Sequence, residues 1–563
     1  MTAQQTSWNR RQFLSRIGLG GTVLAVGGGL TGLLAACGTA NDKAQTSSGT
    51  TPVAGSSSAG GQGSAGRIGK LTVSFSTAPP TLDIATALVG NVATMMLVIH
   101  EPLVTYDNDL VLIPWLASKW DQSKPNEYTF TLRDGVKFSD GSALTADDVV
   151  YSIKRHTDKS FPSQLAGYFS TVTDVTGSGQ QVTITLKDPD ETFPYVLSLA
   201  GIVKESIAKP LGAKYAEPGT AIVGTGAYTV TSFTANQGIE LAANPKYWGT
   251  APKVDAVSVK IIPDESARQL AMRSGDTMMS YDVSLSQVKQ WKAVDHVDVP
   301  VAPGLESSML AFDLSQAPWD DLHVRKAVCH CWDPQFVTAV MGDAASPAVP
   351  VSAPVPPGMW ANAMAQADTE KFYAGLPVLA FDLEAAKAEL AQSAHAGGFS
   401  ATIAVPNTSP NLQKAALSLA DNLGKIGIKL DVQQQPQQTW KAYQQAHQKL
   451  GLQLTSVGPD YPDPANYYGN LFLSANASPN NNNLSNYKNP EFDKLVAQQA
   501  GEQDKAKRTQ LLQQLLTMLV QDVPVLTLWW SGFAVAYRSD LMRYSKLTSL
   551  CYLQPWLTNV SAP

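Results

Sequence analysis

The sequence predicts an α/β protein with two or three lobes. Apolar residues recur at helical spacing from Leu412 to Ile426, and a strand pattern, 428–432, follows directly. A second strand pattern, 128–133, alternates apolar and polar residues, as a half-buried strand does. Helices alternating with strands favour sheets flanked by helices. Residues 67–563 are long enough for two or three lobes, each with its own core.

The first elements of this body have recognisable beginnings and ends. Residues 71–75 read as a first strand, which the prolines that follow it bring to an end. Thr145 and Asp148 have the spacing of a capping box, so a helix should begin there with Val149 and Ile153 on its inner face. A further helix is predicted after Asp264.

The later elements follow the same rules. Asp382 should open a helix that closes at Gly397-Gly398, because aspartate favours a helix start and glycine a helix end. Ser409-Pro410 is typical of a cap followed by a first-turn proline. A leucine stripe within 511–519 predicts a buried helix face, and 524–530 reads as a final buried strand.

The N-terminal 37 residues are predicted to be a targeting segment and are left out of the fold. Arg10-Arg11 begins a twin-arginine pattern, and an uncharged, glycine-rich run, 17–36, follows. Leu34-Ala35-Ala36 precedes Cys37 as in a lipobox, so we expect Cys37 to carry the lipid that anchors the protein to the outer face of the cell membrane. Residues 38–66, rich in Gly, Ser and Thr, are predicted to be a disordered tether.

Charge and cysteine content narrow the possible partners. Removing the three arginines of the targeting segment from the formal net charge of −6 leaves −9 for the rest of the chain. No basic stripe is present, so we expect no nucleic-acid partner. Cys329, Cys331 and Cys551 remain after Cys37, and an odd number of cysteines does not describe a disulfide scaffold.

One segment concentrates candidate binding residues. Residues 458–468, Gly-Pro-Asp-Tyr-Pro-Asp-Pro-Ala-Asn-Tyr-Tyr, contain three prolines, which predict a stiff loop rather than a helix or central strand. Asp460 and Asp463 are carboxylates that, in a partly dry site, would need a cationic partner. Tyr461, Tyr467 and Tyr468 supply flat amphipathic surface. The alternative interpretation is a proline-ruled surface turn with solvated aspartates.

Catalytic and metal-binding patterns are weak. Ser206 and Lys209 match Ser-x-x-Lys, but no Lys-Thr-Gly companion exists, which leaves a lipoprotein hydrolase as a remote alternative. Cys329 and Cys331 are two residues apart on a predicted helix, so the two thiols point away from each other. We therefore expect no enzyme activity, no metal and no cofactor.

The segment 128–155 resembles the signature of the family 5 extracellular solute-binding proteins, the dipeptide-, oligopeptide- and nickel-binding components of ABC importers. Further blocks match in the same order: Gly224-Thr-Gly-Ala-Tyr228, Asn244-Pro-Lys-Tyr-Trp-Gly249, Trp319-Asp-Asp-Leu-His-Val-Arg-Lys-Ala327, Leu423-Gly-Lys-Ile-Gly-Ile428 and Asp460-Tyr-Pro-Asp-Pro464. The resemblance covers essentially the whole body.

The resemblance implies a periplasmic-binding-protein-like two-domain clamp with an extra inserted lobe. Domain I would comprise three separate stretches, 67–106, 223–303 and 524–563. Residues 107–222 would form its inserted lobe, and 304–523 would form domain III. The ligand would be enclosed by hinge closure. A monomer is expected, handing its solute to the permease subunits of an ABC transporter.

The resemblance also implies a site. In peptide-binding members, the aspartate aligned with Asp460 holds the α-ammonium of the peptide, and backbone groups extend the peptide as an added strand. The candidate ligand-binding residues of this chain are Gly458, Pro459, Asp460, Tyr461, Asp463, Tyr468 and Tyr106. Ser456-Val457 replaces the Gly-Trp of many relatives, which leaves peptide length open. An oligosaccharide, opine or metal chelate is the alternative ligand class.

Overall fold

The computed structural model describes residues 66–281, 283–342 and 345–563. The predicted targeting segment, Cys37 and the predicted tether up to residue 65 lie outside the described residues. The strands are β1 (Ile68–Phe75), β2 (Val104–Tyr106), β3 (Leu112–Pro114), β4 (Ala117–Lys124), β5 (Glu127–Leu132), β6 (Val172–Ser178), β7 (Gln181–Leu186), β8 (Tyr228–Thr234), β9 (Gly238–Ala243), β10 (Val254–Ile261), β11 (Met279–Ser280), β12 (Val297–Asp298), β13 (Val301–Phe312), β14 (Ala345–Pro347), β15 (Phe399–Pro406), β16 (Ile428–Gln435), β17 (Leu452–Val457), β18 (Val525–Ala534), β19 (Ala536–Arg538), β20 (Arg543–Tyr544) and β21 (Val560–Ser561).

The helices that flank these strands vary from one turn to five turns in length. They are α1 (Gly90–Ile99), α2 (Ala146–Thr157), α3 (Phe193–Val196), α4 (Glu205–Leu211), α5 (Glu265–Ser274), α6 (Val288–Lys292), α7 (Leu322–His330), α8 (Gln335–Met341), α9 (Gln366–Ala374), α10 (Leu383–Ala391), α11 (Pro410–Gly424), α12 (Gln437–Ala446), α13 (Pro464–Leu471), α14 (Pro490–Gly501) and α15 (Lys505–Asp522).

The largest sheet is mixed and has the strand order β12-β19-β11-β1-β10-β9-β8. Its central strand, β1, runs parallel to both of its neighbours. Leu71, Val73 and Phe75 of β1 are fully buried. A strand covered on both faces needs an apolar run, which is why this segment is readable from the sequence.

The second sheet has the order β14-β18-β13-β17-β15-β16. Its long strands β13 and β18 pair antiparallel, whereas β15 runs parallel to β16 and β17. Leu412, Leu419 and Leu423 of α11 are buried in the same core as Leu430 of β16. The helix-then-strand pattern of the sequence therefore corresponds to one α/β unit of this sheet.

A third sheet, with the order β4-β5-β7-β6, is antiparallel and comes entirely from the segment predicted as the inserted lobe, 107–222. Helix α2 lies beside it, and Val149 and Ile153 share a core with Phe130 and Val182. Along β5 the residues alternate between half-buried and buried, which confirms the predicted alternation.

The chain crosses between the two large sheets twice, and the two crossings are adjacent. One runs from β12 to β13 through 299–300, and the other runs from β18 to β19 through Val535. The backbone N–H of Val535 donates to the Pro300 carbonyl at 3.4 Å. The boundary that the sequence predicts between domain III and the last part of domain I, 523/524, lies just before β18. Strand β18 still belongs to the six-stranded sheet, and the chain returns to the seven-stranded sheet only at Val535.

Local capping predictions are confirmed at several helix ends. Thr145 and Asp148 form both hydrogen bonds of a capping box at the start of α2. Asp264 caps α5, and Gly275 ends it at a φ of 82°, a conformation that glycine adopts without strain. Ser409 precedes α11 as predicted, but its side chain makes no capping hydrogen bond.

Two predicted element boundaries are wrong. Helix α10 ends at Ala391 rather than at Gly397-Gly398, because the Asp321 carboxylate accepts from the Ala394 N–H at 3.0 Å and draws the chain into a turn. The second half of the predicted stiff loop is the helix α13. Its first residue is Pro464, and a proline in the first helical turn removes no hydrogen bond.

A buried carboxylate joins segments that are far apart in the sequence. Glu101, just after α1, accepts from the indole N–H groups of Trp115 and Trp248 at 2.8 Å each and from the Tyr247 hydroxyl at 2.9 Å. Burial raises the pKa of Glu101 to about 7, and the hydrogen bonds oppose that rise. The Asn-Pro-Lys-Tyr-Trp block thus has a structural role at this site.

The cysteines form no disulfide among the described residues, and the helices there do not have the character of membrane spans. Cys329, Cys331 and Cys551 are free and buried. Within the described residues, no helix has the length and apolar character that crossing a membrane requires.

Candidate functional site

The candidate site is built around residues 458–463, the loop that leaves the six-stranded sheet at β17 and enters α13. The Tyr467 hydroxyl donates to the Leu305 carbonyl at 2.7 Å and lies 2.8 Å from the Val457 carbonyl. It therefore ties the start of the loop to β13. The Asp463 N–H donates to the Tyr461 carbonyl at 3.0 Å, which turns the chain into the helix.

Asp463 is a fully paired carboxylate at the inner end of the loop. It is 0% exposed and forms two hydrogen bonds of 2.9 Å with the guanidinium of Arg508 in α15. Its Oδ1 also accepts from the Ala465 N–H at 2.9 Å and caps α13. Because this carboxylate is fully buried and already paired with a cation, its contacts indicate a structural role.

Asp460 has different surroundings. It is half-buried, and its carboxylate accepts a hydrogen bond from the Tyr168 hydroxyl. Its N–H donates to the Asn466 side chain at 3.3 Å. Burial raises the pKa of Asp460, and the hydrogen bonds from Tyr168 and Asn466 oppose that rise. No lysine, arginine or histidine within the described ranges forms a salt bridge with it.

Aromatic rings hold the loop against the region of the four-stranded sheet. The Tyr461 ring stacks on that of Tyr195, with centroids 6.1 Å apart and planes 18° apart. It also meets the edge of Tyr168 at 6.3 Å. Residues 168 and 195 flank β6 and β7 in sequence, so the loop, which leaves the six-stranded sheet, packs against residues next to the four-stranded sheet. Asp460 thus lies at their junction.

Glu306 of β13 lies beside the start of the loop. Its Oε2 is 3.9 Å from the position that a Cβ on Gly458 would take. Burial raises the pKa of Glu306, and a hydrogen bond from Ser531 opposes that rise. Sequence reasoning missed this residue, although a signal exists, since Glu306 is the single charged residue in the twelve residues of β13.

A cavity of about 590 Å³ opens beside Glu306, between the two large sheets. This size is typical of pockets for small organic ligands. The walls from the six-stranded sheet include Ser308, Ser456 and Ser531, and the Ser308 and Ser456 hydroxyls are 2.7 Å apart. Residues 283–286, which follow β11 of the seven-stranded sheet, belong to the facing wall. The cavity can therefore bind a polar molecule between two lobes.

The other predicted ligand-binding residues are distributed unevenly. Gly458 is exposed at the loop entrance, and the Pro459 carbonyl already accepts from the Tyr552 hydroxyl at 3.1 Å. Tyr468 is 0% exposed, and its hydroxyl donates to the Leu512 carbonyl at 2.9 Å. Tyr106 is 2% exposed. Because Tyr468 and Tyr106 lie in the core, we leave both out of the proposed site.

The weak catalytic and metal patterns gain no support from the geometry. Ser206 is exposed on α4, and Lys209 forms a 2.9 Å salt bridge with Glu205, which raises the pKa of Lys209. A general base needs a lowered pKa instead.

The cysteine pattern does not form a metal site. Cys329 lies on α7 and Cys331 just beyond its end, and no cluster of three or more metal-ligating side chains occurs in the described part of the chain.

Two mixed α/β sheets with a polar cavity between them define a ligand-binding clamp. A sequence model of the bacterial extracellular solute-binding proteins, family 5, matches residues 111–479, and the protein therefore belongs to this family. This result confirms the family that the sequence blocks predict. The family consists of extracellular binding proteins, which agrees with the expected location outside the cytoplasm.

Individual relatives agree with this assignment. The chain is 26% identical over 479 residues to the probable D,D-dipeptide-binding periplasmic protein DdpA of Escherichia coli K12, covering 82% of this chain and 89% of that protein. It is 26% identical over 466 residues to the dipeptide-binding protein of the same organism, covering 77% and 83%. The periplasmic binding protein DppA from Helicobacter pylori, solved with the peptide STSA, has a TM-score of 0.73 at 23% identity and covers 88% of this chain and 98% of that one. The predicted two-domain α/β fold is thereby confirmed.

Proposed function

We propose that this protein captures a short peptide outside the cytoplasmic membrane and delivers it to the permease of an ABC importer. The single observation that carries the proposal is Asp460, a half-buried carboxylate at the junction of two sheets that has hydroxyl and amide partners but no salt bridge among the described residues. A carboxylate in such a place is stabilised by a cation, and the α-ammonium of a peptide supplies one.

Clamp closure is the proposed mechanism of capture. The two adjacent crossings at 299–300 and Val535 are the covalent links between the large sheets, so rotation about them would open the cavity. A ligand that contacts both walls would stabilise the closed form, because it gains contacts there that the open form lacks. Small-angle scattering of residues 67–563 should then give a smaller radius of gyration when peptide is added.

Anchoring at the membrane is the second part of the proposal. Cys37 would carry two acyl chains, which give stable attachment where one does not. The segment 38–66 would act as a tether that lets the body reach its permease. Cys37→Ala should release the protein from the membrane fraction, and a variant that stays in the detergent phase as fully as the wild type would overturn the lipid anchor.

The peptide assignment is tested by combining Asp460→Ala with acetylation of the peptide amino group. Stranding one partner of a desolvated charge pair costs about 2 to 5 kcal/mol, or roughly thirty- to several-thousand-fold in affinity. Acetylation should cost a similar amount in the wild type and much less in the variant, since both changes remove the same interaction.

Calorimetry measures all four combinations, with Asp121→Ala on the exposed face of β4 as the matched control. If the losses from substitution and acetylation simply add, Asp460 does not hold the amino group.

Native mass spectrometry of the purified residues 67–563 would identify the bound solute. An opine or a sugar in that experiment would replace the peptide in the proposal.

A further inference from the structure

The half-buried carboxylate of Glu306 forms no salt bridge with a cationic side chain in the described part of the chain. It accepts one hydrogen bond, from Ser531. Arg268 lines the same cavity, but its guanidinium donates to the carbonyls of Ile262 and Pro263 at 3.0 Å each. Removing a carboxylate from water without a cation is costly, and the cavity beside it is where a cation would enter.

Glu306 of β13 and Asp460 of the loop lie near the same short segment, 458–460. Glu306 is beside Gly458, and Asp460 follows two residues later, an offset of about 7 Å for extended backbone. The hydroxyl of Tyr552 donates to Pro459, between them. Burial, together with the negative charges of Asp460 and Glu306 nearby, raises the pKa of Tyr552. An offset of that length is one that a single small ligand can span.

The spacing and the cavity indicate the kind of ligand. The four-carbon stem of lysine separates its α-nitrogen from its ε-nitrogen by a length comparable to that offset. The cavity of about 590 Å³ has room for such a side chain, and its walls include the hydroxyls of Ser308, Ser456 and Ser531. A neutral side chain would leave the half-buried Glu306 without the counter-charge that a cationic side chain supplies.

We propose that the cleft selects a ligand with two cationic groups, a peptide whose first residue is lysine or arginine, with the α-ammonium on Asp460 and the side-chain cation on Glu306. The inference rests on the proposed peptide function and adds the specificity of the first position. A short diamine offers the same pair of charges without a peptide backbone and is distinguished by the test.

The experiment is calorimetry with four probes: Lys-Ala, norleucine-Ala, Ala-Lys and 1,5-diaminopentane. Norleucine has an unbranched apolar side chain like lysine but no amine, so the comparison isolates the second charge. In the wild type, Lys-Ala should bind about ten- to a hundred-fold more tightly than norleucine-Ala, as expected for a hydrogen bond between two charged groups. Ala-Lys should show a smaller preference.

The variants assign this preference to Glu306. In Glu306→Gln the ratio between Lys-Ala and norleucine-Ala should fall to within about threefold, because the variant no longer offers a charge to the second cation. Glu265→Gln is the matched control. It removes another acid of the same cavity, but its Oε1 can still accept the hydrogen bonds from Trp291 and Ser284, so the preference should persist.

Three outcomes would overturn the inference. Equal binding of Lys-Ala and norleucine-Ala to the wild type, which needs no variant to fold, means that no second charge is recognised. A preference unchanged in Glu306→Gln means that another group recognises it. Diaminopentane binding as tightly as Lys-Ala means that the two charges are recognised without any contribution from the peptide backbone. The proposed peptide function is tested separately. It fails if neither norleucine-Ala nor Ala-Lys binds to the wild type.

Discussion

Two carboxylates three residues apart on one loop have opposite surroundings. Asp463 is fully buried, paired through two hydrogen bonds with Arg508 and used as a helix cap. Asp460 is half-buried and has the Tyr168 hydroxyl and the Asn466 amide near it, but no salt bridge to any residue that the structure describes. Residue type and sequence neighbourhood are almost the same, so the difference lies in what the fold brings to each.

The same contrast separates two other acids of the protein. Glu101 accepts from two indoles and a phenol in the core, whereas Glu306 accepts from one serine beside a cavity. A carboxylate whose acceptor positions are filled by the protein stabilises the fold. One whose positions are only partly filled can accept a ligand, and the proposed roles of Asp460 and Glu306 rest on this distinction.

The largest expected effect on stability is at Asp463. Asp463→Asn keeps a side-chain acceptor for the cap of α13 but removes the charge opposite Arg508, which stays buried. Breaking a buried pair in this way costs about 3 to 5 kcal/mol, and urea unfolding should show the loss. The folded fraction should still bind peptide with an affinity much closer to that of the wild type than Asp460→Ala does. A large loss of affinity with little loss of stability would reverse the roles of the two aspartates.

A somewhat smaller effect is expected in the pH dependence of stability at Glu101. Its pKa is raised from 4.5 to about 7 by burial, so the protonated form favours folding and that contribution is lost as the pH rises through this range. The difference corresponds to about 3 kcal/mol between pH 4 and pH 8.

The free energy of unfolding of Glu101→Gln, which cannot titrate, should therefore rise relative to the wild type by about that amount as the pH increases from 4 to 8. Unfolding curves at several pH values measure the difference, and the slope matters rather than the absolute stability of the variant. Parallel profiles for the two proteins would show that the hydrogen bonds from Trp115 and Trp248 keep the Glu101 pKa near its ordinary value.

The smallest effect is expected at Tyr468, which the sequence favours as a ligand contact and the structure places in the core. Tyr468→Phe removes the hydrogen bond to the Leu512 carbonyl and should cost about 1 kcal/mol of stability. Peptide affinity should not change, because the hydroxyl lies away from the cleft. A loss of affinity of tenfold or more in calorimetry would return Tyr468 to the site.

Local rules account for the parts of the fold that were predicted correctly. The capping box of Thr145 and Asp148, the cap at Asp264 and the alternation along β5 each depend on residues within a few positions of one another. Their physical causes, unsatisfied N–H groups at a helix start and one buried face of a strand, act within a single element. The same rules failed for α10, where Asp321, 73 residues away, intervenes.

The sequence by itself determined the α/β class, most element positions, the family and the loop that contains Asp460. Only the tertiary structure decided which acids are paired. Asp463 and Arg508 are 45 residues apart, and Glu306 lies beside Gly458 because β13 and β17 are neighbours in one sheet. Whether a carboxylate has enough hydrogen-bond donors and a counter-charge depends on residues far away in the sequence, which come near it only in the folded chain.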